Sequence, residues 1–155
     1  MYDEPKLIHA GRAIDDRGVL TFCNEFNLQG VVRFYSIRNH RRGLVRAWHG
    51  HEHSDTFLWP ISGMWTVAAV RSRNMKAMVA MENVVTEPVG PQPQKHAIDG
   101  SHIYHVPAGW YHGHQSLTDG AILGVFSTAT IGQVRTDDLR LPWDRWPEVW
   151  EEVQR

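Results

Sequence analysis

Three histidines alternate in the stretch RAWHGHEHSD, residues 46–55: His49, His51 and His53. Side chains on a strand alternate faces, so these imidazoles are placed to point into one cavity. Imidazole can ligate a transition metal, carry a proton near neutral pH, or simply pack. A second concentration follows in VPAGWYHGHQSL, residues 106–117, where His112 and His114 also alternate. One histidine on a strand face is more often structural than functional; several from two separate stretches favour a site. Two chemistries fit. In the first, His49, His51 and His112 bind a metal. In the second no metal takes part, and one histidine removes a proton from carbon next to a carbonyl, a contribution of about 10²- to 10⁴-fold. The developing enolate oxygen then needs a donor, such as a second histidine or a tyrosine.

Arginine surrounds the first stretch. RNHRRGLVR, residues 38–46, holds Arg38, Arg41, Arg42 and Arg46. The guanidinium fork donates two hydrogen bonds at once, which suits a diphosphate. A solvated turn explains the first three equally well, and Arg46, inside the expected strand, is the better candidate. His96, His102 and His105 border a loop and read as exposed or structural. Glu25 and Asp119 are carboxylates that could orient a histidine, with nothing local to support either. Most of the tryptophans read as core or cavity wall.

The elements that must position these groups read as strands. VLTFCNEF, VVRFYSI, GLVRAWHGH, TFLWPIS, MWTVAAV, HIYHVPA and AILGVFST are short, rich in β-branched and aromatic residues, and separated by turns such as DDRG, NHRRG and RSRN. MKAMVAM reads as a strand or a short helix. TEPVGPQPQKHAIDG is rich in Pro and Gly and reads as an exposed loop. In the tail, DRWPEVWEEVQR has Pro147 and Glu148 placed for a first helical turn. Val149, Trp150 and Val153 share a face there, expected to pack on the barrel or on a second subunit. Many short strands with frequent turns predict an all-β sandwich or small barrel.

The chain has 155 residues, enough for one domain with a core and short for two. Its formal net charge is −1, which argues against nucleic acid as a partner. The sequence has no membrane-length apolar run, its first residues lack the pattern of a signal peptide, and a single cysteine, Cys23, allows no internal disulfide. A soluble cytoplasmic protein is the expectation.

Gly43, His49 and His51 form G-x5-H-x-H, and Pro107, Gly109 and His112 form P-x-G-x-x-H. In these two motifs the chain resembles the cupin superfamily over about residues 15–130. The resemblance implies one domain across residues 1–155: an antiparallel β-barrel, or jelly roll, with a tail and short C-terminal helix over 136–155, assembled as a homodimer. Metal-binding cupins complete their histidines with a glutamate where this chain has Thr56, and the neighbouring Asp55 is expected to face the other way.

Within the cupins the chain is similar to the dTDP-4-dehydrorhamnose 3,5-epimerase and dTDP-sugar 3,4-ketoisomerase families, which work without metal. RFYSI followed by R-x-x-H-x-H resembles the ketoisomerases, and this implies His49 and His51 as the acid–base pair, with Tyr35 and Arg46 lining the substrate pocket. DDRG, residues 15–18, is similar to the first epimerase strand, where Arg17 would contact the nucleotide. VPAGWYHGHQSL resembles the epimerase I-P-x-G-x-x-H-G segment, with His112 as a sugar-contacting residue; His114 alternates with it and is expected on the same face. The chain departs from the epimerases in one respect: they carry a general-acid tyrosine where this chain has AILGVFST. The implied ligand is a nucleotide-diphospho-4-keto-6-deoxy sugar, with no cofactor. A metal-dependent oxygenase and a non-catalytic sugar-binding cupin are the alternatives.

Overall fold

The computed structural model describes residues 4–72, 74–80 and 92–151. Two five-stranded antiparallel sheets carry the architecture. The first has the order Lys6–His9 (β1), His102–Val106 (β9), Thr56–Ser62 (β6), Ile122–Ser127 (β11) and Arg33–Arg38 (β4). The second has the order Leu139–Arg140 (β12), Val45–His51 (β5), Trp110–Ser116 (β10), Trp65–Arg71 (β7) and Gln94–Ile98 (β8). A separate hairpin pairs Gly11–Asp15 (β2) with Gly18–Phe22 (β3). This is the antiparallel cupin-type sandwich that the motifs imply.

Strand β7 reads WTVAAVR, apolar at nearly every position, because both its faces are covered. Trp65, Val67 and Ala69 pack between the sheets against Leu58, Tyr104, Val106, Leu123 and Val125. Ala68 and Val70 face the other way and join Trp48, Tyr111, Leu141, Trp146, Val149 and Trp150. The chain's last described segment therefore forms a second core, on the outer face of the second sheet. Trp48 packs tilted against Trp150 and edge-on against Trp146, with ring centroids 5.0 and 5.2 Å apart. Gln115 binds the segment as a strand would: its amide donates to the Glu151 carbonyl at 3.2 Å and accepts from the Glu151 N–H at 2.9 Å.

Three expectations need correction. The C-terminal helix is replaced by two 3-10 turns, Trp143–Arg145 and Pro147–Val149, because the indoles of Trp146 and Trp150 are drawn down onto Trp48; residues 152–155 lie outside the described ones. MKAMVAM takes its helical alternative, Met75–Ala80 (α1). In the loop TEPVGPQPQKHAIDG, residues 86–91 lie outside the described ones, and Gln94–Ile98 is a strand held by β7. The tail packs on the sheet as expected. Among the described residues no helix is long and apolar enough to cross a membrane.

Candidate active site

The histidines converge because β5 and β10 are neighbours. His49 stands opposite His112 in the register, and on its other side β12 places Arg140 opposite His49. Paired residues of adjacent strands share a face. Arg140, His49 and His112 thus form a row across three strands. Ring centroids of His49 and His51 lie 5.8 and 5.9 Å from that of His112. Gly50 and Gly113, between the histidines, face the second core. A Cβ on Gly113 would come within 2.9 Å of Trp150 and collide with Ala47.

Arg46 needs a further device. In register it faces His114, two residues beyond His112, yet it is three residues before His49. One strand carries an extra residue, a bulge that resets the alternation. Ala47 and Trp48 both turn to the outer core, while Arg46 and His49 stay on the inner side.

These groups line a cavity of about 430 Å³ together with Arg33, Tyr35, Ile37, Leu58 and Val125 from the first sheet. A short helix, Ile131–Val134 (α2), and the segment after it close one side with Arg135, Asp138 and Arg140. Thr130 caps α2 in a reciprocal pair with Gln133. Among the described residues the cavity thus sets four arginines against one carboxylate, an anion-attracting balance. The guanidinium of Arg33 lies 4.9 Å over the Tyr35 ring. Tyr35 is the one tyrosine in the lining. Tyr104 is buried in the inter-sheet core, its hydroxyl without a hydrogen-bond partner and its pKa pushed up by burial. Tyr111 donates to the Met75 carbonyl at 2.9 Å in the outer core.

Burial keeps three of these imidazoles neutral. It lowers the pKa of His49 to about 4, assisted by the Arg140 charge and opposed by Asp138. His114 is lowered to about 3 by burial, with the charges of His49 and Arg46 adding to it. His112 falls well below the ordinary histidine range through burial and the neighbouring His49 and His51. Both ring nitrogens of His112 and Nδ1 of His114 are buried without a hydrogen-bond partner. Burial works against the charge of Asp138, but the Arg140 guanidinium, at 2.7 and 2.9 Å, holds its carboxyl below the usual carboxylate range.

His49, His51, Tyr35, Arg46, His112 and His114 therefore meet in one cavity. Arg17 does not: it sits at the tip of the β2–β3 hairpin, its side chain 86% exposed and paired to Asp15. His53 also leaves the cavity, since β5 ends at His51 and the chain turns, leaving the His53 side chain 80% exposed. Asp55 faces away, as expected; it accepts from the Ala108 N–H at 3.0 Å and pairs with His105 Nε2 at 2.8 Å. His105 is accordingly buried rather than exposed, stacked on Phe57. Glu25 and Asp119 are not in the lining. Sequence reasoning missed Asp138, Arg135, Arg140 and Arg33, whose positions depend on the fold of the tail and on the pairing of β4.

The donor set does not fit a metal bound by the histidines. Among the described residues, the one trio of His, Cys, Asp or Glu whose donor atoms all lie within 4.8 Å is Glu52, His53 and Asp137. His49, His51 and His112 do not converge so closely, and Thr56 offers no carboxylate. The trio outside the cavity is already satisfied: Asp137 accepts two backbone N–H groups, and Lys76 pairs with Glu52 at 3.0 Å.

No family model matches this sequence, and neither does any curated protein. Solved structures do. A 3,5-epimerase from Legionella pneumophila, in complex with dTDP-4-keto-L-rhamnose, superposes with a TM-score of 0.72 at 18% identity, covering 98% of this chain and 82% of that one. A 3,4-ketoisomerase from Thermoanaerobacterium thermosaccharolyticum, a double mutant in complex with TDP, gives 0.65 at 18% identity over 96% of each chain. A 3'-monoepimerase from Streptomyces bikiniensis, in complex with dTDP-quinovose, gives 0.72 at 16%, covering 99% and 80%. The fold is that of the dTDP-sugar epimerases and ketoisomerases. At these identities the likeness extends to the fold and leaves the chemistry to the cavity itself.

Proposed function

We propose that the cavity isomerises a nucleotide-diphospho-4-keto-6-deoxy sugar by proton transfer, without a metal. The observation that carries this reading is a cluster of imidazoles held neutral by burial beside four arginines. A base must be unprotonated before it acts, and burial favours the neutral form of His49 at neutral pH. The arginines match a diphosphate. The fold shared with dTDP-sugar enzymes supports the same ligand class.

His49 takes the proton from the carbon next to the C4 ketone. The electron pair moves into the carbonyl, giving an enolate. His112, with no protein partner, and Tyr35, the one phenol in the lining, face the sugar and the enolate oxygen. His51 returns a proton to carbon. For the epimer, His51 carries a proton from solvent to the opposite face of the original carbon and His49 gives its own to solvent; for the ketoisomer, His51 moves the neighbouring hydroxyl's proton to C4 and His49 gives its proton to the C4 oxygen. Arg46, Arg135 and Arg140 hold the diphosphate side.

The chain acts as a homodimer in this reading. Ile14, Val19 and Leu20 on the β2–β3 hairpin are 76%, 61% and 63% exposed, an apolar ribbon suited to a second copy. Arg17, remote from the cavity of its own chain, would reach a nucleotide only across that interface.

The test is proton NMR of a dTDP-4-keto-6-deoxy sugar in deuterated water. Wild-type protein exchanges the C3 or C5 hydrogen, and His49→Asn loses the exchange while still binding the nucleotide. Exchange retained in that variant overturns the assignment of the base.

A further inference from the structure

Asp137 lies just outside the cavity, and the proton-transfer scheme above assigns it nothing. Yet it touches the end of the motif strand and the turn that follows it at three points. One carboxylate oxygen accepts the Glu52 N–H at 2.8 Å, and the other accepts the His53 N–H at 3.0 Å. Its backbone carbonyl lies 2.8 Å from Nδ1 of His51. A carbonyl oxygen only accepts, so in the neutral ring Nδ1 must carry the hydrogen. The lone pair of His51 is then on Nε2.

The carboxylate is 7% exposed as part of a buried residue, and two charge-assisted hydrogen bonds fix it to the turn that ends β5. That anchorage sets where the following carbonyl stands, and the carbonyl sets the ring. The β12–β5 pairing that begins two residues later, Leu139 opposite Gly50, holds the same alignment from the other side. Asp138 then turns its own carboxylate into the cavity. Two consecutive aspartates thus serve the two motif histidines by different means: the field of Asp138 acts on His49, and the backbone of Asp137 orients His51.

We propose that Asp137 is a positioning residue that locks His51 in the Nδ1–H tautomer, so that Nε2 is the ring nitrogen that takes up and gives back a proton. The inference rests on the proton-transfer reading of the cavity for its catalytic consequence, but not for the tautomer itself. The balance closes over one turnover: Nε2 takes a proton from solvent or from the neighbouring sugar hydroxyl and gives it to carbon, while the Nδ1 hydrogen stays on the ring, donated to the Asp137 carbonyl.

Long-range ¹H–¹⁵N correlation spectra of the full-length protein read the tautomer directly. His51, assigned by loss of its signals in His51→Gln, is expected to show a protonated Nδ1 and an unprotonated Nε2. Asp137→Ala should mix the two tautomers and lower kcat by about tenfold to a hundredfold, the usual effect of losing a group that orients an imidazole, with KM for the nucleotide sugar unchanged. Asp137→Asn keeps one oxygen acceptor and should fall between. An unprotonated Nδ1 in the wild-type spectrum overturns the proposal, and this holds even if Asp137→Ala does not fold. An unchanged tautomer and kcat in a folded Asp137→Ala also overturns it. A tautomer that behaves as expected in a protein that exchanges no hydrogen from any 4-keto sugar nucleotide sustains the lock and removes the enzymatic reading instead.

Discussion

Arg46 and His49 line one cavity although they stand three residues apart on a single strand. Regular alternation would set them on opposite faces. The bulge between His112 and His114 in the β5–β10 register cancels the odd residue and turns Trp48 outward into the tail. The proposed anion-binding group is thereby brought alongside the proposed base. Arg46→Ala should raise KM for the nucleotide sugar by roughly 10- to 100-fold, the worth of a hydrogen bond to a charged group, with a smaller change in kcat. Steady-state kinetics at fixed ionic strength checks this.

Among the described residues Tyr35 is the one phenol facing the cavity, and AILGVFST holds no tyrosine. If its hydroxyl serves the enolate oxygen, Tyr35→Phe should lower kcat by about 10²-fold and leave the fold intact. Hydrogen exchange in deuterated water should fall in parallel.

The neutral histidines make stability depend on pH. The pKa of His49 is lowered to about 4 and that of His114 to about 3, while unfolded histidine titrates near 6.5. Between those values the unfolded chain binds more protons than the native one. Their contribution is complete above about pH 6.5 and is lost as pH falls through that window, by about 1.4 kcal/mol per pH unit for each histidine. Thermal melts should show Tm dropping below pH 6, and His114→Leu should flatten the slope. The carboxyls of Asp55, Asp99 and Asp138, also lowered, act in the same direction only at more acidic pH.

Gly113 has no room for a methyl group, with Ala47 and Trp150 on either side. Gly113→Ala should destabilise by about 1–3 kcal/mol, the usual range for overpacking. Adding Ala47→Gly should recover part of the loss, and denaturant melts measure both.

Metal content gives an independent check on the proton-transfer reading. Protein purified without chelator should carry well under one equivalent of any transition metal per chain, and its hydrogen-exchange activity should survive EDTA. One equivalent, lost in His49→Ala, would make the histidines ligands.

Much of the site was legible because it lies on regular elements. The spacing of His49, His51, His112 and His114 states which side chains share a face, and strand pairing needs only to bring β5 beside β10. Asp55 was legible for the same reason: its turn away follows from its place next to Thr56. His53 was misread because alternation says nothing about where a strand stops. Asp138 and Arg140 were hidden because a two-residue strand has no periodicity to detect. The tail was read as a helix from local signals, Pro147 and Glu148, which lose to the burial of two indoles against Trp48. Strand β8 was hidden by the Pro and Gly residues that precede it.

The Asp137–Asp138 segment has a consequence for biosynthesis. Every strand of the two sheets but β12 is complete by Ser127, yet the carbonyl beside His51 and the arginine beside His49 come from residues 137 and 140. A chain still emerging from the ribosome can pair its sheets before its acid–base pair is set. Under the proposed reading reactivity is conferred last, and a chain terminated before residue 137 would lack both the tail's part of the outer core and the groups that set that reactivity.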